Sequence, residues 1–241
     1  EYLESPSCFM AFIANELDAP DSDDHCNICS ICKGEYLFHL PTKKDELTHA
    51  TQLLAGRHGT IEPRKQWSSR KRIPEMYRMR QGWALYADYY SVAGQTIRKG
   101  KYEHGFFSQS IVDDSANYLR EKINNAHIDC AIPVPSKRRP NLVPRFTREL
   151  AEQLGLEYLN VVKRTDDSKE QKTLLNSVQQ ENNVRTSTEV DDIDRIYGKT
   201  ILLVDDMVDS RWTLTVIASQ LLECGANAVY PYALVKSRNG N

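Results

Sequence analysis

The 241-residue sequence predicts an α/β fold, in which a small helical zinc-binding module and a basic connector precede an open parallel sheet flanked by helices. Three observations predict this order. Four cysteines cluster near the start, cations concentrate in the middle, and helix and strand patterns alternate from about residue 107. We therefore divide the chain into residues 1–34, 35–106 and 107–241.

The composition is typical of a globular chain, with 40% hydrophobic and 27% charged residues. No run of about 18 apolar residues occurs, so we expect neither a membrane span nor a membrane partner. The chain begins at Glu1, without Met and without the pattern of a signal peptide. We therefore expect a cytoplasmic piece of a longer protein.

The first module carries four candidate zinc ligands: Cys8, Cys26, Cys29 and Cys32. The last three are each three residues apart, so a tight turn can direct their thiols inward while Cys8 supplies the fourth. Ser5 and Pro6 predict a helix start that places Cys8 in the first helical turn. A closed four-ligand site leaves no position for water, so we expect the zinc to be structural.

Two alternatives to zinc stay open, an iron–sulfur cluster and unliganded buried cysteines. The bacterial cluster run requires a further Cys where this chain has Tyr36. His25 could replace a thiol as a ligand. Cys130 and Cys224 fall within apolar patterns, and we expect them to be buried free thiols.

The connector is strongly basic. Residues 57–101 contain eleven Lys or Arg and three acids, a net charge of +8, whereas residues 1–33 carry −6. Cations neutralise phosphates, and aromatic faces stack on unpaired bases. The predicted DNA contacts are Arg64, Lys65, Trp67, Arg70, Lys71 and Arg72. The alternative is a solvated linker whose aromatic residues fill a small core, where we expect Tyr86, Tyr89 and Tyr90 because of their helical spacing.

Apolar spacing predicts the elements of the third zone. In chain order these are helix 108–124, strand 130–135, helix 143–154 stopped by Gly155, strand 158–162, polar flap 163–187, strand 200–204, helix 214–221 ending near Gly225, and strand 228–235. Alternating helices and strands favour a parallel sheet.

Strand 200–204 runs into an acidic pair and then a loop. The residues of interest are Asp205, Asp206, Asp209, Ser210, Arg211, Trp212 and Thr213. This segment resembles the V-D-D-x-x-T-T-G-x-T loop of type I phosphoribosyltransferases, whose acids bind ribose hydroxyls and whose backbone N–H groups cradle a phosphate. Here Arg211 stands at the glycine position and Asp209 replaces a hydroxyl. We therefore expect no catalysis by this segment.

Other segments resemble ComF-like members of that family, namely the proline-and-arginine run 133–140 and the polar residues 171–184. A receiver-type fold, whose paired acids bind Mg²⁺, is an alternative, although its acids normally lie near the first strand. Strand-end Asp pairs bind Mg²⁺ in several folds. A weak Mg²⁺ site at Asp205 and Asp206 therefore stays possible.

The cysteine pattern, a distant Cys followed by C-x-x-C-x-x-C, resembles the zinc module of RecQ-family DNA helicases, and the order of all three zones resembles the RqlH type. The resemblance implies the C-terminal accessory region of an ATP-dependent 3′-to-5′ helicase. It implies an upstream motor in the same chain, single-stranded or forked DNA as partner, and a bacterial, nucleoid-associated location. The sequence has no G-x-x-x-x-G-K-[ST] loop, so ATP hydrolysis is not assigned to this piece.

Two other functions remain as alternatives. The third zone could be an active phosphoribosyltransferase that uses phosphoribosyl pyrophosphate and Mg²⁺. It could instead be a docking module for a DNA repair protein.

Overall fold

The structure is a computed structural model that describes residues 7–19, 24–34, 58–165 and 176–237. The chain divides into two compact units, Glu1–Ala50 and Thr51–Asn241. Among the helices of the described residues, none is long and apolar enough to cross a membrane.

The first unit contains two short helices, α1 (Phe9–Glu16) and α2 (Ser30–Lys33). Cys8 is the N-cap of α1. It therefore lies just before the first helical turn, whereas the sequence predicts it within that turn. The predicted cap residues Ser5 and Pro6 lie outside the described residues. Helix α2 ends at Gly34, whose φ of 66° is left-handed backbone that glycine adopts without steric cost.

The second unit is built on a six-stranded sheet. Its strands are β1 (Gly59–Ile61), β2 (Gly82–Tyr86), β3 (Cys130–Pro133), β4 (Glu157–Tyr158), β7 (Thr200–Val208) and β8 (Ala228–Lys236), in the order β1-β2-β8-β7-β3-β4. Only β1 and β2 pair antiparallel within this sheet. Strands β5 (Val162–Arg164) and β6 (Thr188–Val190) form a separate antiparallel ribbon.

Helices cover both faces of the sheet. They are α3 (Val92–Lys99), α4 (Gln109–Ala126), α5 (Leu142–Leu154) and α7 (Trp212–Glu223), whereas α6 (Ser177–Ser187) packs against α7 and β6. In β7, Ile201 and Leu203 pack with α7 on one face, and Leu202 and Val204 pack with α4 and α5 on the other. The period-2 alternation of a strand buried on both sides explains this division. The predicted α/β class with a mostly parallel, helix-flanked sheet is confirmed.

The predicted elements of the third zone are found with shifted bounds. The predicted strand 158–162 is two strands, β4 and β5, which belong to different sheets. Leu159 and Val161 between them are fully buried, so the apolar run reflects burial and not one continuous strand. Strand β7 continues to Val208 and thus contains the acidic pair. The predicted flap contains α6, while its residues 166–175 lie outside the described residues.

The connector from residue 58 onward belongs to the second unit. Strand β2 pairs in parallel with β8, with Trp83 opposite Tyr232 and Ala84 opposite Ala233. At Gly82 a Cβ would lie 1.9 Å from the carbonyl oxygen of Pro231, so only glycine allows this approach. In its described part, residues 58–106, the predicted connector is therefore joined to the sheet, because its strands β1 and β2 complete that sheet.

The three tyrosines at helical spacing do not lie on a helix. Tyr86 ends β2, and Tyr89 and Tyr90 lie in the turn that follows. Tyr86 and Tyr89 pack against the core, whereas Tyr90 is 65% exposed. The spacing thus identified two core residues from a pattern that the backbone does not follow.

Candidate functional site

Four cysteine sulfurs converge in the first unit. The Sγ atoms of Cys8, Cys26, Cys29 and Cys32 all lie within 4.8 Å of one another. The Cys8 and Cys29 sulfurs are 3.9 Å apart. In tetrahedral zinc–thiolate sites, metal–sulfur bonds near 2.3 Å separate the sulfurs by about 3.8 Å. The cluster could therefore hold a metal ion that prefers four sulfur ligands.

The turn between the two helices supports these sulfurs through its backbone. Asn27 has a φ of 58°, a left-handed conformation that asparagine tolerates better than most residues. The Cys29 N–H donates to Cys26 Sγ at 3.2 Å, and the Cys32 N–H donates to Cys29 Sγ at 3.5 Å. Such hydrogen bonds stabilise the thiolate, which is the form that binds metals.

The metal-free thiols differ in acidity. The hydrogen bond from the Cys32 backbone lowers the pKa of Cys29 to about 6, and one from the Ala11 backbone also lowers the pKa of Cys8. Burial raises the pKa of Cys32 to about 11. Four adjacent thiolates repel one another, so their complete ionisation requires a bound cation. His25 Nδ1 lies 3.6 Å from Cys32 Sγ, beside the cluster.

The second unit has a cleft of about 650 Å³ at the carboxyl ends of β3 and β7. Ligands of open parallel sheets usually bind at this edge, where the loops after the strands meet. The charged side chains that line it among the described residues are Lys101, Lys137, Arg138, Arg139, Arg164, Asp205, Asp206, Asp209 and Arg211. Cations outnumber acids, so the cleft favours an anion.

Asp205 and Asp206, which we call the acid pair, lie near the end of β7. Both carboxylate oxygens of Asp206 lie 2.8 Å from Lys101 Nζ. The Asp206 N–H donates to Asp205 Oδ1 at 2.8 Å. Asp205 is partly exposed as a residue, but its carboxyl is enclosed, and burial together with the Asp206 charge raises its pKa to about 8. Burial opposes the charge of Lys101, but the acids outweigh it and raise the Lys101 pKa.

A π-helical turn positions Lys101 beside the acid pair. Directly after α3 the chain forms a π-helical turn, Gly100–His104, a feature that is frequent at functional sites. At Gly100 a Cβ would lie 2.9 Å from both Phe106 O and Phe107 Cδ1, so a larger residue would clash. Gly105, with a φ of 75°, ends the turn. The two glycines therefore permit the conformation that directs Lys101 into the cleft.

The loop after β7 has a left-handed residue immediately before α7. This residue is Arg211, with φ 67° and ψ 0°. Its Nη1 donates to the Glu62 carbonyl at 3.3 Å. Arg64 Nε donates to the Ser210 carbonyl at 2.9 Å, and the Arg64 guanidinium lies 3.9 Å from the centre of the buried Trp212 ring. Residues 62–64 thus cover the outer side of this loop.

A family model described as "Phosphoribosyl transferase domain" matches residues 110–240, which is more than half of the chain. The chain belongs to this family. The predicted phosphoribosyltransferase-like nature of the third zone is therefore confirmed. No curated protein matches the chain.

The chain is also similar to solved structures of other proteins, among them two phosphoribosyltransferases. The purine phosphoribosyltransferase from Pyrococcus horikoshii is 17% identical, over 56% of this chain and 80% of that one, with a TM-score of 0.36. A hypoxanthine phosphoribosyltransferase from Trypanosoma cruzi is 14% identical, over 61% and 68%, with a TM-score of 0.37. An allosteric regulatory enzyme of purine biosynthesis is 19% identical over 49% of this chain but only 24% of its own, with a TM-score of 0.34.

In the phosphoribosyltransferase domain, most residues of the predicted ligand loop meet at the cleft. Its lining includes Asp205, Asp206, Asp209, Ser210, Arg211 and Thr213, whereas Trp212 is buried beneath Arg64. Arg211 has left-handed backbone, which a glycine would adopt at no steric cost, and it adds a side chain at the position where the resembled loop has glycine. The left-handed bend at this position is therefore one that glycine accommodates, whereas arginine adds a cationic side chain to the loop.

Residues 65–73, which we call the basic loop, form a closed turn on the phosphoribosyltransferase domain. The Trp67 N–H donates to the Lys71 carbonyl at 2.9 Å, and the Ile73 N–H donates to the Lys65 carbonyl at 3.0 Å. The exposed cations of this loop are Lys65, Arg70, Lys71 and Arg72.

The other two predicted DNA contacts face the domain. Arg64 is half-buried over Trp212, as described above. The Trp67 ring is half-buried and lies 4.5 Å from the Arg185 guanidinium of α6. The Ser68 N–H donates to the Glu181 carboxylate of the same helix at 2.7 Å. The structure thus brings four of the six predicted residues together as exposed cations and places Arg64 and Trp67 in packing contacts.

Sequence reasoning did not single out Lys101, Tyr102 or Arg164, which all line the cleft. Lys101 precedes its partner Asp206 by 105 positions, so no local spacing joins the two. The centre of the Tyr102 ring lies 4.8 Å from the Arg139 guanidinium, which also lines the cleft. The only local signal was a lysine in a short segment that has a glycine at each end.

Proposed function

We propose that this chain is a DNA-binding accessory region of an ATP-dependent 3′-to-5′ DNA helicase whose motor lies upstream in the same polypeptide. On this proposal the phosphoribosyltransferase domain is a non-catalytic platform. The observation that carries the proposal is the basic loop, whose four exposed cations lie on a turn closed by two backbone hydrogen bonds. The RecQ-type cysteine pattern of the first unit supports the helicase assignment.

The basic loop suits a phosphate backbone. Its cations project from a turn that Ser68 ties to Glu181 of α6, so little backbone freedom is lost when DNA binds. Each cation that neutralises a phosphate releases counterions, which gives affinity without sequence preference. This property suits a region that must hold single-stranded or forked DNA of any sequence.

Zinc is the metal we propose for the four-cysteine cluster. Thiolate ligands in a closed tetrahedron favour zinc, and such sites are structural. A unit this short buries little apolar surface, so metal binding would supply much of its folding free energy.

The acid pair supports the non-catalytic part of the proposal. In the enzymes that this loop resembles, these acids bind ribose hydroxyls, but here Asp206 is already paired with Lys101. The backbone after them cradles a phosphate there, whereas here Arg211 places a side chain at the glycine position. Both changes act on ligand recognition and leave the fold intact.

DNA binding can be tested with matched double variants. Fluorescence anisotropy with a labelled single strand and a labelled fork would compare Lys71→Gln/Arg72→Gln with Lys99→Gln/Arg120→Gln, which removes the same charges from exposed sites outside the basic loop. We expect the basic-loop variant to bind about tenfold more weakly, since two phosphate contacts are lost. Equal affinities in the two variants would reject the basic loop as the DNA contact.

Transferase activity can be tested separately. We expect no release of pyrophosphate from phosphoribosyl pyrophosphate with Mg²⁺ and purine bases. Release that disappears in Asp206→Asn would contradict the non-catalytic assignment and favour an active phosphoribosyltransferase.

A further inference from the structure

We propose that Lys101 is a built-in cation that takes the place of a divalent metal at the acid pair, so that the cleft accepts phosphate-bearing ligands without one. The inference rests on the non-catalytic part of the proposed function and is independent of DNA binding. It assigns a specificity-determining role to a residue on a different element from the family's loop.

The contact between Lys101 and Asp206 is close and largely enclosed. Both Asp206 oxygens lie 2.8 Å from the ammonium, and the two side chains are only 19% and 9% exposed. Asp205 lies next to this pair, linked through its Oδ1 to the Asp206 backbone N–H. The ammonium therefore lies against both carboxylate oxygens of Asp206, with Asp205 next to them.

A divalent ion would compete directly with this ammonium. Mg²⁺ binds carboxylate oxygens at about 2.0–2.1 Å and requires near-octahedral geometry. An ion at that distance from Asp206 would lie within a few ångströms of Lys101, in a site where burial weakens screening. Binding would therefore require Lys101 to leave, and its departure would break the ion pair.

The fold holds Lys101 in this position. The lysine belongs to the π-helical turn at Gly100–His104, where Gly100 packs against Phe106 and Phe107. This packing thus fixes the backbone from which the Lys101 side chain extends to the acid pair. A tethered ammonium competes at a high effective concentration with any ion from solution.

The rest of the lining indicates what enters the cleft. Beyond Lys101, the cations that line it are Lys137, Arg138, Arg139, Arg164 and Arg211. Arginine and lysine side chains bind phosphate oxygens through charge-assisted hydrogen bonds. With the charge of Asp206 balanced by Lys101, these five cations outnumber the remaining acids of the described lining, Asp205 and Asp209, and give a positive site that needs no metal to receive a phosphate-bearing anion.

Manganese provides the direct probe, because Mn²⁺ prefers carboxylates over the thiolates of the first unit. Free Mn²⁺ would be counted by electron paramagnetic resonance during titration of the zinc-loaded chain. The proteins are wild type, Lys101→Met, Lys101→Met/Asp206→Asn, and Lys99→Met as a matched control on an exposed lysine. We expect Lys101→Met to gain a site about tenfold or more tighter than any in the wild type. The double variant should lose that site, and Lys99→Met should match the wild type.

Two results would overturn the inference. One is a wild-type Mn²⁺ site that Asp206→Asn abolishes, since the acid pair would then bind metal with Lys101 present. The other is a folded Lys101→Met, or the more polar Lys101→Gln, that gains no site. Either result would leave the non-catalytic assignment standing if pyrophosphate release were still absent, so the two failures can be distinguished.

Inorganic pyrophosphate tests the ligand class. Calorimetry in EDTA should show binding to the wild type, and addition of Mg²⁺ should not strengthen it. Lys137→Gln/Arg138→Gln should weaken the binding about tenfold. Binding that appears only with Mg²⁺, or no binding in either condition, would contradict a metal-free phosphate site.

Discussion

Arg211 combines a left-handed backbone with a cationic side chain in the loop before α7. Its φ of 67° is costly for a residue with a Cβ, by roughly 1–2 kcal/mol. The guanidinium offsets part of this cost through its hydrogen bond to the Glu62 carbonyl. The left-handed bend before α7 is therefore held under strain.

Two substitutions at this position separate the backbone from the side chain. Arg211→Gly and Arg211→Ala both remove the guanidinium, but only alanine keeps the Cβ in left-handed backbone. We expect the glycine variant to be more stable than the alanine variant by about 1 kcal/mol. Urea unfolding of both variants measures this difference. Equal stabilities would show that position 211 is not left-handed in solution.

Asp205 predicts a dependence of stability on pH. Its carboxyl has a folded pKa of about 8, against an ordinary value of 3.8. Between these values the folded chain holds a proton that the unfolded chain has released, so this group lowers stability as pH rises and has no further effect above about 8. Asp205→Asn removes the titrating carboxyl but keeps a carbonyl oxygen that can accept from the Asp206 N–H.

The variant should therefore gain stability relative to the wild type as pH rises. We expect the difference in free energy of unfolding to grow from about pH 5 to about pH 8. Urea unfolding at several pH values measures it, and contributions from other groups largely cancel in the difference. A difference that stays constant across this range would contradict an enclosed, proton-bearing Asp205.

At the scale of elements, β2 joins the connector to the sheet through Gly82. Gly82→Ala would bring a Cβ to 1.9 Å from the Pro231 carbonyl oxygen and 2.5 Å from Pro231 Cγ, both on β8. We expect destabilisation of about 3 kcal/mol or more, since two strands must separate. Gly105→Ala, with a φ of 75° and no atom within 4 Å of its Cβ, should cost only about 1 kcal/mol. If thermal unfolding ranks the two variants the other way, the result would contradict the pairing of β2 with β8.

These helices and strands differ in how well sequence patterns predict them. Helices α4 and α5 and strands β7 and β8 were predictable because continuous apolar runs and helical spacing follow from burial on the two faces of one sheet. Strand β2 was not predictable as a sheet member, since its partner β8 lies far along the chain. The split between β4 and β5 was also hidden, because a buried irregular segment has the same apolar composition as a strand.

Residues of the candidate site could be predicted from the sequence when they lie close to one another along the chain. The four cysteines and the acid pair were found because their members lie close in sequence or have a characteristic spacing. Lys101 was missed because a fold-level contact over 105 positions leaves no local pattern. Arg64 and Trp67 are residue types that commonly contact DNA, a cation and an aromatic residue. Only the structure shows that they pack on the domain.

At the scale of the whole molecule, the zinc content of the chain tests whether the four cysteines of the first unit bind zinc. We expect about one zinc ion per chain in elemental analysis, and Cys29→Ser should lower this content sharply because one of four ligands is lost. Cys224→Ser, which changes a thiol outside the cluster, should leave it unchanged. Zinc absent from the wild type, or reduced equally by both substitutions, would contradict a four-cysteine site.

The central proposal, that this chain holds DNA through the exposed cations of its basic loop, is tested most directly by the salt dependence of binding. Each phosphate contact on a single strand contributes a slope of about −0.7 in log affinity against log salt, so four cations predict a slope of about −3. Fluorescence anisotropy of a labelled single strand between about 50 and 200 mM KCl would measure this slope. The proposal predicts a steep loss of affinity with salt; affinity that does not change with salt, or no binding at micromolar protein, would contradict it.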